Sequence, residues 1–173
     1  MPESRPSPDL RDLLGEAALA CAEAPTPEAA FQVIADAADQ ALGHRLLTVL
    51  RLDADTMEVE RYFSTDPVAY PPGGTKPMRT TWWGQHVLVN GQPYIGYNGD
   101  DIREHFADHD VILGLGLASI LNLPVRLQGR TLGTVNMLNV EGHYAQADVP
   151  TGIVLSALLT GPLLQVQWQA AAR

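Results

Sequence analysis

Apolar residues at Leu10, Leu13, Leu14, Ala17 and Cys21 recur three and four positions apart, the interval that lines one face of an α-helix. Ser7 before Pro8 reads as the start, a hydroxyl cap followed by a proline at the first helical position. Thr26 and Pro27 repeat that start. Phe31, Ile34, Ala35, Ala38 and Leu42 repeat the stripe, and Gly43 offers a stop. The period then changes. Residues 45–53 are dense in Leu and Val and end in the turn cluster Asp53-Ala54-Asp55-Thr56. From 57 to 64, Met57, Val59 and Phe63 fall on one side and Glu58 and Glu60 on the other, so the pattern predicts a hairpin of two strands.

Residues 65–79 hold Pro67, Pro71, Pro72, Gly73, Gly74 and Pro77, too much Pro and Gly for regular structure, and read as a loop or lid. A short helix over 81–89 is expected next, ended by Asn90-Gly91, then a short edge strand at 93–96. Residues 100–116 read as a polar helix with an Asp cap that turns apolar at Val111. Leu121, Leu123, Val125 and Leu127 alternate with Asn122, Pro124 and Arg126, Gln128-Gly129 makes a tight turn, and 131–140 returns. A two-residue loop puts Asn136 opposite Leu121 and Thr134 opposite Leu123, and leaves Asn122 on the other face with Gly133, Val135 and Met137; a bulge would shift that register. Residues 153–168 close the chain as a helix that Pro162 should kink. One of its stripes is Leu155, Leu158, Leu159, Leu163 and Val166; the other is Ile153, Ala157, Leu164 and Trp168. One stripe covers the sheet, and the other asks for a partner, most simply a second copy.

Composition narrows the classes. A length of 173 residues suits one domain, and 46% apolar with 18% charged residues is globular rather than disordered. The net charge of −9 repels phosphate backbones and anionic lipids, so neither nucleic acid nor a membrane is an expected partner. The polar, Pro-rich start lacks the apolar core of a signal peptide. Only 153–168 approaches the ~18 uncharged apolar residues of a spanning helix, and Gly161, Pro162, Gln165 and Gln167 make it read as a buried or oligomeric helix. Cys21 is the only cysteine, which excludes an intramolecular disulfide and a Cys-based zinc site and fits a reduced, cytoplasmic setting.

The run Leu121-Asn122-Leu123-Pro124-Val125-Arg126, then Gln128-Gly129-Arg130-Thr131-Leu132-Gly133-Thr134-Val135-Asn136, resembles the late hairpin of the GAF domain family. Asn139, Tyr144 and Asp148 are similar to the Asn, Phe and Asp of that family's N-K-F-D-E motif, although Val140 and Val149 stand where its Lys and last Glu would be. The resemblance covers roughly residues 26–168 and divides the chain into an arm and helix at 1–25, a GAF-like domain at 26–168 and a tail at 169–173. It implies an α/β (α+β) fold, GAF/PAS-like: a central antiparallel sheet of five to six strands, terminal helices on one face, often as a dimeric bundle, and short helices and loops over the other, enclosing a ligand. Most members are sensory modules joined to an output domain. None is expected in this length, so the chain is expected to act as a stand-alone homodimer, on a separate partner, or as an enzyme.

The enzymatic relative is the free methionine-R-sulfoxide reductase, which needs cysteine redox chemistry. No cysteine follows Cys21, and that family's acids fall on Asn136, Leu138 and near Ile120, so this activity and covalent bilin attachment are not expected. Candidate ligand contacts are Trp82 or Trp83, which point about 100° apart on a helix, with His86 on the same helical face. His105 and His109 stand four apart in the polar stretch, metal-ligand spacing with Asp101 or Asp108 as a third donor, although a solvated helix face has the same pattern. His109 with Asp108 or Asp101 could also form an acid–base pair. Haem could take His44, His86, His105, His109 or His143. Asn136 and Thr134 are polar on an aliphatic strand and need partners that a ligand or nearby backbone could supply, with Ser119 and Tyr144 bordering the same space. Three functions remain open: a small-molecule-binding sensory module, with residues 65–79 ordering over the ligand and strain passing to the terminal helices; an enzyme using a His/Asp pair, metal or haem; and a regulatory subunit with a vestigial pocket.

Overall fold

The computed structural model describes residues 9–172. Helix α1 (Leu10–Glu23) starts at Asp9, whose carboxylate accepts from Arg11 N at 2.9 Å. The arm and the Ser7-Pro8 cap lie outside the described residues. Helix α2 (Pro27–Ala41) begins as the sequence says, with Thr26 Oγ1 accepting from Ala29 N and Pro27 in the first turn.

Six strands follow: β1 (Leu46–Asp53), β2 (Glu58–Ser64), β3 (Thr75–Pro77), β4 (Tyr94–Gly96), β5 (Ser119–Leu127) and β6 (Arg130–Asn139). They form one antiparallel sheet in the order β3-β2-β1-β6-β5-β4. The 65–79 segment is therefore not all loop, because Thr75–Pro77 pairs with Glu58–Glu60 as an edge strand.

Two bulges correct the expected registers. In β2, Val49 faces Phe63 but Leu50 faces Arg61, so Tyr62 is the extra residue. Val59 and Phe63, expected on one side, thereby face opposite sides of the sheet. In the late hairpin the turn is Gln128-Gly129, both with positive φ (49° and 77°), as a type I′ turn requires. Val125 then pairs with Gly133 while Arg126 pairs with Thr131, so Leu132 is extra. Asn122 lands opposite Asn136, and Leu121 and Leu123 move opposite Met137 and Val135.

One sheet face packs on the terminal helices. Leu47, Val49, Leu121, Leu123, Val135 and Met137 join Leu13 and Ala17 of α1, Phe31 and Ile34 of α2, and the C-terminal helices in one core. Those last helices are α5 (Val149–Ala157) and α6 (Thr160–Ala171), bent by 52° rather than continuous. The break sits at Leu158–Leu159, where the Pro162 ring would meet the carbonyl four residues back. Among the described residues no single helix is long and apolar enough to cross a membrane.

The crossover covers the other face. It holds a π-helical turn (Gly84–Val89) and helices α3 (Gly99–His105) and α4 (His109–Gly114). The single polar helix expected over 100–116 is broken, because Phe106 is extended (φ −121°, ψ 120°). Its cap is Asn98, not an Asp: Oδ1 accepts from Asp100 N and Asp101 N. Trp83, Val87, Ile102 and Ile112 pack here against Leu52, Val59, Ile120 and Leu138.

Candidate functional site

Between the crossover and the sheet lies a cavity of about 520 Å³. Its floor is the alternate set of strand residues: Thr48 and Leu50 of β1, Ile120 and Asn122 of β5, Asn136 and Leu138 of β6. Trp83, His105, Phe106, Asp108 and Ile112 roof it, and Tyr70 with residues 73–78 closes the side. Most of this wall is aliphatic or aromatic, with a few polar groups converging on it, the usual make-up of a small-molecule site.

The polar floor is one directed chain. Trp83 Nε1 can only donate, and gives its proton to Asn122 Oδ1 at 2.9 Å. That fixes the amide, so Asn122 Nδ2 donates to Asn136 Oδ1 at 2.7 Å. Asn136 Nδ2 then donates to Thr134 Oγ1 at 3.1 Å and Thr48 Oγ1 at 3.3 Å. Thr48 lines the cavity and keeps its own hydroxyl proton to give. Asn122 is not among the residues expected from the sequence, since the unbulged register turned it to the opposite face, and Thr48, Arg61, Tyr70 and Lys76 are likewise new to the site. A buried Asn opposite a second Asn on the same hairpin was the available signal.

A second polar group gathers where β2, β3 and the α3–α4 break meet. Val59 pairs with Lys76, and Arg61 is two residues along β2, so all three side chains share the cavity face. Lys76 Nζ donates to Asp108 Oδ2 at 2.6 Å, and the Tyr70 hydroxyl donates to the same oxygen. The Arg61 guanidinium lies 3.9 Å over the Tyr70 ring and donates from Nη1 to Pro71 O at 2.7 Å, while its buried Nε has no partner. Burial, reinforced by the Arg61 charge, pushes Lys76 down to about 8. Burial also lowers Arg61 and raises Asp108.

The expected site residues separate. Trp83, His105, Asp108 and Asn136 line the cavity. Trp82 does not: it is half-exposed, stacked between His86 (ring centroids 4.6 Å) and His105 (4.3 Å). His86 Nε2 bonds to Pro93 O at 3.0 Å. Asp101 Oδ2 accepts from Tyr97 N at 2.7 Å, which ties it to the β4–α3 link rather than to the cavity. His109 and His105 do not share a helix face, because the break at Phe106 comes between them. His109 Nδ1 bonds to Phe106 O at 2.8 Å and Nε2 lies 3.5 Å from Asp110, while Asp108 turns its carboxylate to Lys76, so the acid–base pair is not formed. Ser119 and Tyr144 belong to the helix face of the sheet: Ser119 Oγ donates to Gly96 O and accepts from Tyr144 N, and the Tyr144 hydroxyl donates to Gly43 O.

Among the described residues no group of three or more His, Cys, Asp or Glu is placed to hold a metal ion. Of the five histidines considered for haem, His105 alone lines the cavity; His44 and His143 bond to Ala35 O and Leu42 O. Asn139 and Asp148 accept from backbone N–H groups, of Val140 and Ala145, in the link from β6 to α5.

The sequence matches the GAF domain model over residues 26–157. No curated protein matches it. Among solved structures it is similar to the GAF domain of a phosphoenolpyruvate-protein phosphotransferase from Coxiella burnetii, at 16% identity and TM-score 0.77, covering 96% of this chain and 99% of that one. It is also similar to a domain of a putative two-component sensor histidine kinase from Sinorhizobium meliloti, at 18% identity and TM-score 0.62 over 84% and 97% of the two chains. A third is free methionine-R-sulfoxide reductase from Neisseria meningitidis with its substrate, at 16% identity and TM-score 0.73 over 96% and 95%. At such identities the likeness is one of fold. Asn136, Leu138 and Ile120 line the cavity of this chain without a carboxylate, and Cys21 packs with the core on the far side of the sheet.

Proposed function

The chain belongs to the GAF domain family, and on that premise we propose that it is a sensory or regulatory module whose small-molecule ligand sits in the cavity under residues 70–78. The observation that carries this reading is the cavity itself. Its volume of about 520 Å³ falls inside the ~300–1,000 Å³ of drug-sized sites. Its apolar walls end in polar groups held by their own hydrogen bonds, a ready-made contact set. A sensor kinase domain of similar fold supports the sensory role.

The acid–base alternative built on His109 and Asp108 has no geometric support, since the two side chains turn to different partners. Two further parts belong to the proposal: pairing with a second copy through the terminal helices, and a cytoplasmic setting, in keeping with the single half-buried thiol.

Native mass spectrometry of the purified protein, followed by a thermal-shift screen of metabolites, tests the reading. A true ligand at about 100 times its Kd adds about 2.7 kcal/mol to stability, a plain rise in Tm. Leu50→Trp, which fills the cavity from β1, should abolish that rise. A folded protein that retains nothing and responds to no compound would count against a ligand site.

A further inference from the structure

Lys76 is the only lysine in the chain, and in a protein of net charge −9 it lines the cavity beside Arg61. We infer that the ligand is a small organic acid, with an apolar body against the aliphatic wall and one carboxylate paired with Lys76 and Arg61. The inference rests on the cavity being a ligand site.

Charge count comes first. Among the described residues lining the cavity, the Asp, Glu, Lys and Arg side chains are Arg61, Lys76 and Asp108, two cations against one anion. Charges partly withdrawn from water favour partners, and one more negative charge completes the set. A cationic ligand would add to the excess. A phosphate dianion would overshoot it and bring a second charge against Asp108.

Hydrogen-bond supply agrees. A carboxylate only accepts. Lys76 Nζ has three protons and gives one to Asp108. Arg61 Nε is buried in packed protein without a partner, so Arg61 contributes its charge to this wall, with the guanidinium held in place by the Tyr70 ring and Pro71 O. The two remaining Lys76 protons suit an acceptor with two oxygens. Burial lowers Lys76 and raises Asp108, and the neighbouring Arg61 charge lowers Lys76 further, which an added anion beside the two cations would offset. The rest of the lining holds no further Lys or Arg for a second carboxylate: its wall is Leu50, Val59, Phe106 and Ile112, and its floor carries the neutral Thr48, Asn122 and Asn136.

Matched probes test this: phenylacetate, phenylacetamide and phenethylamine, with octanoate, octanamide and octylamine as an aliphatic set. Binding is read by calorimetry and by protection of Lys76 from amine acetylation, with the N-terminal amine as internal control. Acids should bind and protect, and Lys76→Met should weaken them about tenfold or more, the loss expected of a charge-assisted hydrogen bond. Asp108→Asn should tighten them. Lys76→Met is the main variant because Lys76 sits on an edge strand with its side chain 42% exposed; Arg61→Met, which also strips the Tyr70 contact, is the supporting one. Amides or amines that bind as well as acids, or acid binding indifferent to Lys76→Met, would overturn the inference. If those neutral or cationic probes are still lost in Leu50→Trp, the ligand site stands and only its chemistry is wrong. If no probe binds and none protects, the inference falls, and the ligand site is left to native mass spectrometry and the metabolite screen.

Discussion

A single lysine makes its own titration readable. Reductive methylation with a carbon-13 label should give one side-chain resonance for Lys76, apart from the N-terminus. Its midpoint is expected near about 8, below the ordinary 10.5, because burial and then Arg61 disfavour the cation. A bound carboxylate favours the cation, so adding phenylacetate should move the midpoint up, and an unmoved midpoint would part the acid from Lys76. The same shift fixes a sign for stability. Between about 8 and 10.5 the unfolded chain holds the proton and the folded chain does not, so this group makes stability rise with pH across that window. Below about 8 the charged lysine disfavours the fold, by an amount that its 42% side-chain exposure to solvent reduces. Nothing in the local sequence announced this, since Gly73-Gly74-Thr75-Lys76 reads as a loop, and Lys76 reaches the cavity only because Thr75–Pro77 pairs with β2.

At the level of elements, what the sequence shows and what it hides divide along period and register. The helix starts at Thr26-Pro27, the hairpin turn at Gln128-Gly129 and the edge strand near Tyr94 all follow from local chemistry, and all are present. The two bulges do not follow from it. Tyr62 and Leu132 are ordinary strand residues, and what inserts them is the fit of whole strands to two packed faces. Each bulge bears on the site: one sends Phe63 to the helix core while Val59 and Arg61 stay on the cavity face, the other brings Asn122 to Asn136. The break at Phe106 is hidden in the same way, since the stretch is polar enough to be helical throughout, yet the roof needs Phe106 and Asp108 turned inward. Gly133 marks how tightly the strands are set beside the second bulge. A Cβ there would stand 2.0 Å from Leu50 O and 3.2 Å from Leu163 Cδ1. Backbone cannot yield as a side chain does, so Gly133→Ala should cost about 1–3 kcal/mol. Urea unfolding should show a lower midpoint with an unchanged slope, and a variant as stable as the parent would mean the strand shifts freely.

Seen whole, the sheet separates two jobs. Its cavity face holds the polar groups, and its other face is sealed by α1, α2, α5 and α6 into one core. Several large apolar side chains on those helices stay in solvent: Leu19 is 71% exposed, Trp168 67%, and Ile153 and Val154 just under half. The bend before Pro162 makes the two stripes of the C-terminal segment diverge, so the core takes Leu155, Leu159, Leu163 and Val166 and cannot also take Ile153 and Trp168. Large apolar side chains left in solvent on the C-terminal helices are what an interface would cover, in keeping with the proposed pairing with a second copy. Sedimentation velocity over a hundredfold range of concentration should therefore show a dimer. Trp168→Glu and Ile153→Glu should each shift it toward monomer, because a charge at an apolar interface is left without water. Both residues lie outside the buried core, so the monomer should keep its circular dichroism and still bind in the cavity. A wild-type chain that stays monomeric at the highest concentration would sink the pairing. A dimer indifferent to both charges would place the contact elsewhere.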